Sequence, residues 1–463
     1  MDYDVLVLGG GIIGCAVAYE LSKYSLNIAL IEKDYDIAGD VALTNTAIVY
    51  DGMECDNTLM AKLEFMGNSL FSKVTEKFNI PFKKCGSFIT ASGSKGEEEL
   101  QLLYKQAIDR GIEYVKLLAG EEARRMEPSL SEKVTMALYS PNTGVTCPYD
   151  LAIAYGEIAF DNGVIFRLTE EVLDIEDINK GVRVTTNKNK FTCRMVINTT
   201  PGEHYSIDAD RKITYIEKEH MNHFLLEKQK DIYSKIVLSI GEDGKKGYYI
   251  NTLADYDLVS VRVDEKLSLK NTVEAAKDLF GNIDESRIDS FYSVPYREDD
   301  IVIDDSYLSD GYIRIIGKHY GQVTMTPYIA KMVCETVVGN LNAKPKKDFK
   351  DRRRESYNFK KLSNEERQKL IEMDKRYGTV LCPCNMITEG EIVDCIRRPL
   401  GARTLEGVQR RTGATFGKCK GAYCLNKVVS ILARETNQQV TDIVKNSKKS
   451  KVILNRIKEF DSV

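Results

Sequence analysis

The chain has no uninterrupted run of about 18 apolar residues, so it offers no candidate for a membrane-spanning helix. It has no basic excess: 65 Lys and Arg stand against 69 Asp and Glu, a formal net charge of −4. That balance gives no reason to expect nucleic acid as the main partner. Histidine is scarce, with only His204, His220, His223 and His319. His220 and His223 straddle the entry to a predicted strand without a third ligand, so they are not read as a metal site. The first residues read directly as a strand and leave no room for a signal peptide, so a cytoplasmic location is expected.

What is present is length and cysteine. The 463 residues suffice for about two or three domains. The 11 cysteines are unevenly spread. Cys15, Cys55, Cys85, Cys147, Cys193 and Cys334 read as small buried apolar residues. The other five lie between Cys382 and Cys424. Without an export signal, that cluster suggests metal ligation before disulfides.

The chain opens on Asp4-Val5-Leu6-Val7-Leu8, followed by Gly9, Gly11 and Gly14 and then a helical stretch. This is the strand, tight turn and helix of a dinucleotide site. Gly9 allows the turn, Gly11 lets the backbone approach a pyrophosphate, and Gly14 lets helix and strand pack closely. A second apolar run, Ile28 to Ile31, ends at Glu32, which is placed to accept hydrogen bonds from ribose hydroxyls. The motif alone leaves NAD and FAD both open.

Further along, helices are predicted near 58–79, 95–111, 121–127 and 150–159. Strands are predicted at Phe82–Ala91, Val164–Arg167, Glu171–Ile175, Val182–Thr186 and Lys190–Asn198. From about 209 to 305 the pattern is mostly alternating, as in an antiparallel layer over a substrate, with one helix near 270–280. Tyr312 to Gly317 is again a buried strand, followed by a helix from Pro327 to Val338; this βα unit suggests a return to the first sheet. Residues 343–363 are rich in Lys and Arg and read as a solvated linker, ahead of a charged helix at 364–378. Helices are expected at 425–435 and 440–446.

The expected class is α/β: a Rossmann-type FAD-binding domain with an inserted antiparallel β substrate layer, plus a small C-terminal helical domain. The oxidoreductase part would span 1–345, with cofactor-binding parts at about 1–75, 145–205 and 306–345. Its substrate-domain parts would lie at about 76–144 and 206–305. A basic linker and helix would cover 346–378, a cluster-binding domain 379–435, and a helical, basic tail 436–463.

Cys382-Pro383-Cys384 is separated by 34 residues from Cys419-Lys420-Gly421-Ala422-Tyr423-Cys424. Four thiolates in two close pairs suit either tetrahedral zinc or an iron–sulfur cluster. The single residue within the first pair is shorter than the usual zinc spacing. Cys395 falls inside a helix pattern and reads as core.

The stretch from Cys382 to Ile392, with Arg398 to Ala402, Gly407 to Thr412 and Cys419 to Cys424, resembles the bacterioferritin-associated-ferredoxin-like [2Fe-2S] domain. The N-terminal part is similar to the D-amino-acid-oxidase-like FAD superfamily, which includes anaerobic glycerol-3-phosphate dehydrogenase and L-2-hydroxyglutarate dehydrogenase-like proteins. The resemblance implies FAD and a [2Fe-2S] cluster as cofactors. It puts Gly9, Gly11 and Gly14 at the pyrophosphate, Glu32 at the ribose and the Val172 backbone at adenine. Asn45, Thr46, Gly317 and Gly321 fall on the flavin side, and Cys382, Cys384, Cys419 and Cys424 become cluster ligands. It also implies a second flavoprotein subunit as electron acceptor. Where the family often reads Ile-Val-His-Ala-Gly, this chain has Ile48-Val49-Tyr50-Asp51-Gly52.

Oxidising an alcohol or amine carbon needs a proton acceptor and an anchor for an acidic substrate group. His319, in the loop after the late strand, is the candidate base, and a loop histidine bonded to backbone is the bland alternative. Tyr50 is a candidate hydrogen-bond donor or a packing residue. Arg297 is a candidate anion anchor or a surface charge beside Asp299 and Asp300. The expected function is a dehydrogenase acting on a small 2-hydroxy acid, polyol phosphate or amino acid, passing single electrons through the cluster. The alternative is a non-catalytic flavin and iron–sulfur relay subunit.

Overall fold

The computed structural model describes residues 1–39, 46–200, 202, 203, 205–208, 219–228, 232–281, 283–296 and 298–454. Its first sheet has the strand order Val172–Ile178, Gly181–Thr186, Lys190–Asn198, Tyr3–Leu8, Ile28–Ile31, Ile165–Arg167. The strands from Lys190–Asn198 onward run parallel. Tyr312–Ile316 joins beside the end of Lys190–Asn198, with Ile197 opposite Ile313, so the chain does return to this sheet. Covered on both faces, the central strand is apolar from Val5 to Leu8, and all four of these residues are buried.

The helix Ile12–Ser22 is buried along almost its whole length, between the helices Pro148–Asp161 and Gln322–Leu341. A helix enclosed this way reads as apolar all round. Gln322–Leu341 also packs on the helix Thr58–Lys77, whose N-terminus is capped by the Asn57 side chain. Gly67 makes that contact possible, since a Cβ there would collide with the Thr324 carbonyl. The helix at 322 begins five residues before the expected Pro327, and the proline lies inside it.

The second sheet also has eight strands: Ile288–Pro295, His220–Glu227, Tyr256–Val263, Lys246–Asn251, Ile236–Ile240, Ser87–Ala91, Met136–Ser140 and Lys116–Ala119. It is antiparallel except where Ile236–Ile240 runs parallel to Ser87–Ala91. The expected strand from Phe82 to Ala91 is two strands, Phe82–Lys83 and Ser87–Ala91. Gly86 breaks it with φ +75°, a left-handed turn. One face of this sheet lies under the helix Leu269–Phe280, through Val273, Ala276 and Leu279. The other face packs against Ile48, Tyr50 and Met53 of the first half.

The C-terminal helices Glu389–Arg397, Leu405–Thr412 and Leu425–Thr436 enclose their own core of Ile392, Val408, Val428 and Leu432. The basic stretch before them is not a free connector. Arg353 is largely buried and bonds to Glu157 (2.7 Å) and Asp150 (2.8 Å) on the helix Pro148–Asp161. These carboxylates, far off in sequence, are what a charge count over 343–363 does not reveal. The expected helix at 440–446 is a single 3-10 turn, Val440–Asp442.

Candidate active site

The glycine turn has the shape that an anion requires. Gly9 sits at φ +96°, which is costly for residues with a Cβ. A Cβ on Gly14 would collide with the Gly9 carbonyl and reach within 2.8 Å of Thr199 Oγ1. Gly11 caps the helix with no side-chain bond, and the first turn holds no acid, so the helix amides are left for a ligand. Glu32 lies across this turn, accepting from Gly10 N–H (2.6 Å) and Asp34 N–H (2.8 Å). Gly9, Glu32, Glu171, Val172 and Thr200 line one cleft. The sequence-predicted ribose acid and adenine strand thus meet the glycine turn in one place.

Of the remaining candidates, Thr46, Tyr50, Gly317, His319 and Gly321 lie where the two sheets face each other. Gly317 turns at φ +99°, where a Cβ would collide with the Asp300 carbonyl. The Tyr50 N–H donates to Thr324 Oγ1 (3.0 Å), and the Tyr50 hydroxyl bonds Thr46 Oγ1 (3.0 Å). Burial holds the Tyr50 phenol well above its ordinary range. The rings of Tyr50 and Tyr320 meet edge to face, with centroids 4.9 Å apart, and Tyr296 stacks on Tyr320 at 5.7 Å. Asn45 and Arg297 lie outside the described residues.

His319 is buried, and burial lowers its imidazole to about 4, so it is neutral at physiological pH. Its Nδ1 accepts the Gly321 N–H (3.0 Å), which puts the neutral ring's proton on Nε2, 3.7 Å from Cys55 Sγ. The lone pair that a base would use is therefore taken by backbone. Glu64 is fully buried beside it, 3.8 Å from Nδ1, and its carboxyl oxygens have no hydrogen-bond partner among the described residues. Burial, then Glu54 and Asp51 nearby, pushes Glu64 well up from the ordinary carboxylate range.

Sequence reasoning missed Arg262, Glu54, Tyr248 and Tyr296. Arg262 stands on the strand Tyr256–Val263, stacked 4.0 Å above the Tyr296 ring. It pairs with Glu219 (2.5 Å) and Glu298 (3.1 Å). An arginine set among Leu258, Val259, Val261 and Val263 was the signal available. Glu54 receives the Tyr248 hydroxyl at 3.4 Å. Burial, then Asp51, raises Glu54 to about 8.

In the C-terminal part, Cys382 and Cys424 are fully buried, Cys384 is exposed and Cys419 is intermediate. Cys382 contacts Cys424, and Cys384 contacts Cys419. Among the described residues no group of three or more Cys, His, Asp or Glu side chains is arranged to hold a metal ion. Two sulfur pairs suit two metal centres better than one tetrahedral ion. The amide of Tyr423, with the Cys384 thiol, lowers Cys419, as a thiolate ligand requires. Cys395 bonds to the Ile392 carbonyl (3.1 Å) inside the helix and is core, as its pattern suggests.

A sheet with a parallel core, this glycine turn with Glu32 across it, and a second, largely antiparallel sheet packed against them form the frame of a flavin-dependent oxidoreductase. Residues 4–336 match the family described as FAD dependent oxidoreductase, and the chain belongs to it. Residues 380–434 match the BFD-like [2Fe-2S] binding domain. FAD and a [2Fe-2S] cluster are its cofactors. A glycerol 3-phosphate dehydrogenase of Caloramator mitchellensis is 31% identical over 471 aligned residues, covering 97% of this chain and 98% of that protein. A glycerol 3-phosphate oxidase of Mycoplasma pneumoniae is 28% identical over 193 residues, 41% of this chain and 50% of that protein. The mitochondrial L-2-hydroxyglutarate dehydrogenase of Homo sapiens is 27% identical over 205 residues, 44% of this chain and 43% of that protein. The solved L-alpha-glycerophosphate oxidase of Mycoplasma pneumoniae, reduced by dithionite and with FAD bound, shares the fold. Its TM-score is 0.64 at 18% identity, covering 77% of this chain and 99% of that one. Among the described residues no helix is long and apolar enough to cross a membrane.

Proposed function

We propose that the chain is a dehydrogenase for a small alcohol bearing an acidic group, glycerol 3-phosphate or a 2-hydroxy acid, that sends single electrons through its cluster to a partner protein. FAD, when bound, takes a hydride from the substrate carbon and releases electrons one at a time. In this reading Gly9, Gly11, Gly14 and the first helix amides hold its pyrophosphate, and Glu32 holds its ribose. Arg262 anchors the acidic group of the substrate, while Tyr50, Tyr296 and Tyr320 bound the pocket and keep water out. Cys382, Cys384, Cys419 and Cys424 hold the cluster.

The observation that carries the reading is the docking of the cluster part onto the flavin part. Arg411 grips Asp36 with two bonds of 2.6 and 2.7 Å, and Arg410 reaches the Ala38 carbonyl (3.2 Å). Asp36 and Ala38 lie a few residues after Glu32, at the dinucleotide site. A one-electron carrier fixed there favours onward transfer over delivery to oxygen. The acceptor is read as a second flavoprotein, and the location as cytoplasmic. Glycerol 3-phosphate is the first substrate to test, because the relative bearing that activity is matched through both parts.

The test is anaerobic flavin bleaching by glycerol 3-phosphate, 2-hydroxy acids and amino acids, with iron and sulfide assayed on the same preparation. Bleaching by one of the first two classes, with the cluster reduced next, is expected. Bleaching by a partner flavoprotein and by no small molecule would replace this reading with an electron-relay subunit.

A further inference from the structure

His319 offers its Nδ1 lone pair to Gly321, and Tyr50 is held to Thr46, yet an alcohol O–H must lose its proton as the neighbouring C–H is oxidised. The other chamber groups can be taken in turn. Tyr248, Tyr296 and Tyr320 are phenols pushed far up by burial. Glu64 is sealed off, with no accessible surface. Glu298 is committed to Arg262. His223 is stacked on Tyr292 and tied to the Ser260 hydroxyl at 2.7 Å. His220 stands one residue out of step with Met221, which faces the chamber, so it points to the other side of the sheet.

Glu54 differs from all of these. Unlike Glu64 it is only half-buried, and the Tyr248 it meets belongs to the same cluster as Tyr50, Tyr296 and Tyr320. It sits one turn of chain after Tyr50, and the Tyr248 hydroxyl points at its Oε2 (3.4 Å). Groups facing it come from several elements: Asp51 on its own loop, Lys246 and Tyr248 on one strand, and Arg262 on the next. Glu64 and Tyr296 feel its charge as well. Asp51 opposes its ionisation, while Lys246 and Arg262 favour it.

We propose that Glu54 is the catalytic proton acceptor of this enzyme, taking the substrate hydroxyl proton onto its carboxylate. The inference rests on the dehydrogenase reading above. The O–H bond of the substrate breaks with its proton on Glu54, the C–H hydride leaves to FAD, and the carbon becomes a carbonyl. The protonated carboxyl then returns its proton to solvent. Burial and Asp51 set the group so that it ionises near pH 8.

Two arms test this on the FAD-loaded full chain. In the first, flavin reduction by glycerol 3-phosphate and by 2-hydroxy acids is followed by anaerobic rapid mixing from pH 6 to 10. The rate should rise with pH to a plateau above about 8, and Glu54→Gln should lower the plateau by about 100-fold or more with FAD content unchanged. Glu54→Asp, which keeps a carboxylate, should recover part of the rate and retain a pH-dependent rise. In the second arm, pH-difference infrared spectra without substrate should show a carboxylic acid band lost on ionisation near pH 8 and missing from Glu54→Gln. A Glu54→Gln rate within a few-fold of wild type, or an unchanged infrared spectrum, overturns the proposal. If no substrate bleaches even the wild type, the dehydrogenase reading fails, and the infrared arm alone decides whether Glu54 titrates as inferred.

Discussion

Arg411 and Asp36 form a two-pronged ion pair between the iron–sulfur part and the loop that follows Glu32, with both side chains almost fully buried. Burial alone would lower the guanidinium, but Asp36 outweighs it and raises it. A second charge knot lies nearby. Glu157 accepts Arg398 of the cluster part (3.0 Å) and Arg353 of the basic stretch (2.7 Å) with its two oxygens.

Removing one partner of such a pair leaves a buried charge unpaired, which costs about 3–5 kcal/mol. Asp36→Ala should therefore loosen the cluster part from the flavin part. Calorimetry should show the C-terminal part unfolding earlier, and rapid mixing should show slower cluster reduction after the flavin is reduced. A single unfolding transition at the wild-type midpoint would mean the pair does not hold the two parts together.

Gly14→Ala tests the dinucleotide turn. The added methyl meets the Gly9 carbonyl and Thr199 Oγ1. Relief requires the turn to shift, at about 1–3 kcal/mol, or roughly one to two powers of ten in FAD affinity. Purified protein should carry less flavin per chain, read from the absorption spectrum, and exogenous FAD should restore it only in excess.

Acid should weaken the fold through buried imidazole. Burial lowers His223 to about 3, against an ordinary value of 6.5. Above pH 6.5 the ring is neutral folded or unfolded and contributes no pH dependence. As pH falls from 6.5 toward 3 the unfolded chain binds a proton that the folded chain refuses. Stability then drops by about 1.4 kcal/mol per pH unit from this group. Denaturant titrations between pH 6.5 and 4.5 should show that slope, and His223→Gln should reduce it by about that amount.

Much of the frame was legible because local pattern and tertiary role agree there. The run from Val5 to Gly14, the acid at Glu32 and the late strand at Tyr312 each carry a constraint that a few neighbouring residues express. The two close cysteine pairs are legible for the same reason, and Cys382 meets Cys424 as Cys384 meets Cys419. The chamber is not. Arg262 and Tyr296 come from segments more than 200 residues from Tyr50 and Glu54, and only the facing of two sheets brings them together. His319 shows the reverse. Its position after the returning strand is readable, but the Gly321 N–H that occupies its nitrogen is a matter of loop conformation. The basic stretch at 343–363 misleads because composition records charge and not the carboxylates of Asp150 and Glu157 that receive it.

The parallel pairing of Ile236–Ile240 with Ser87–Ala91 bears on how the chain folds. Thr90 donates its hydroxyl to the Leu238 carbonyl, 148 residues away in sequence. Loop closure of that length comes before any reward from contact, and sheets built on such pairings form slowly. The strands at 87–91 and 136–140 emerge from the ribosome long before their partners at 236–263. Until then the edge of Ser87–Ala91 that pairs with Ile236–Ile240 stays open, the kind of unpaired strand edge that draws aggregation or chaperones.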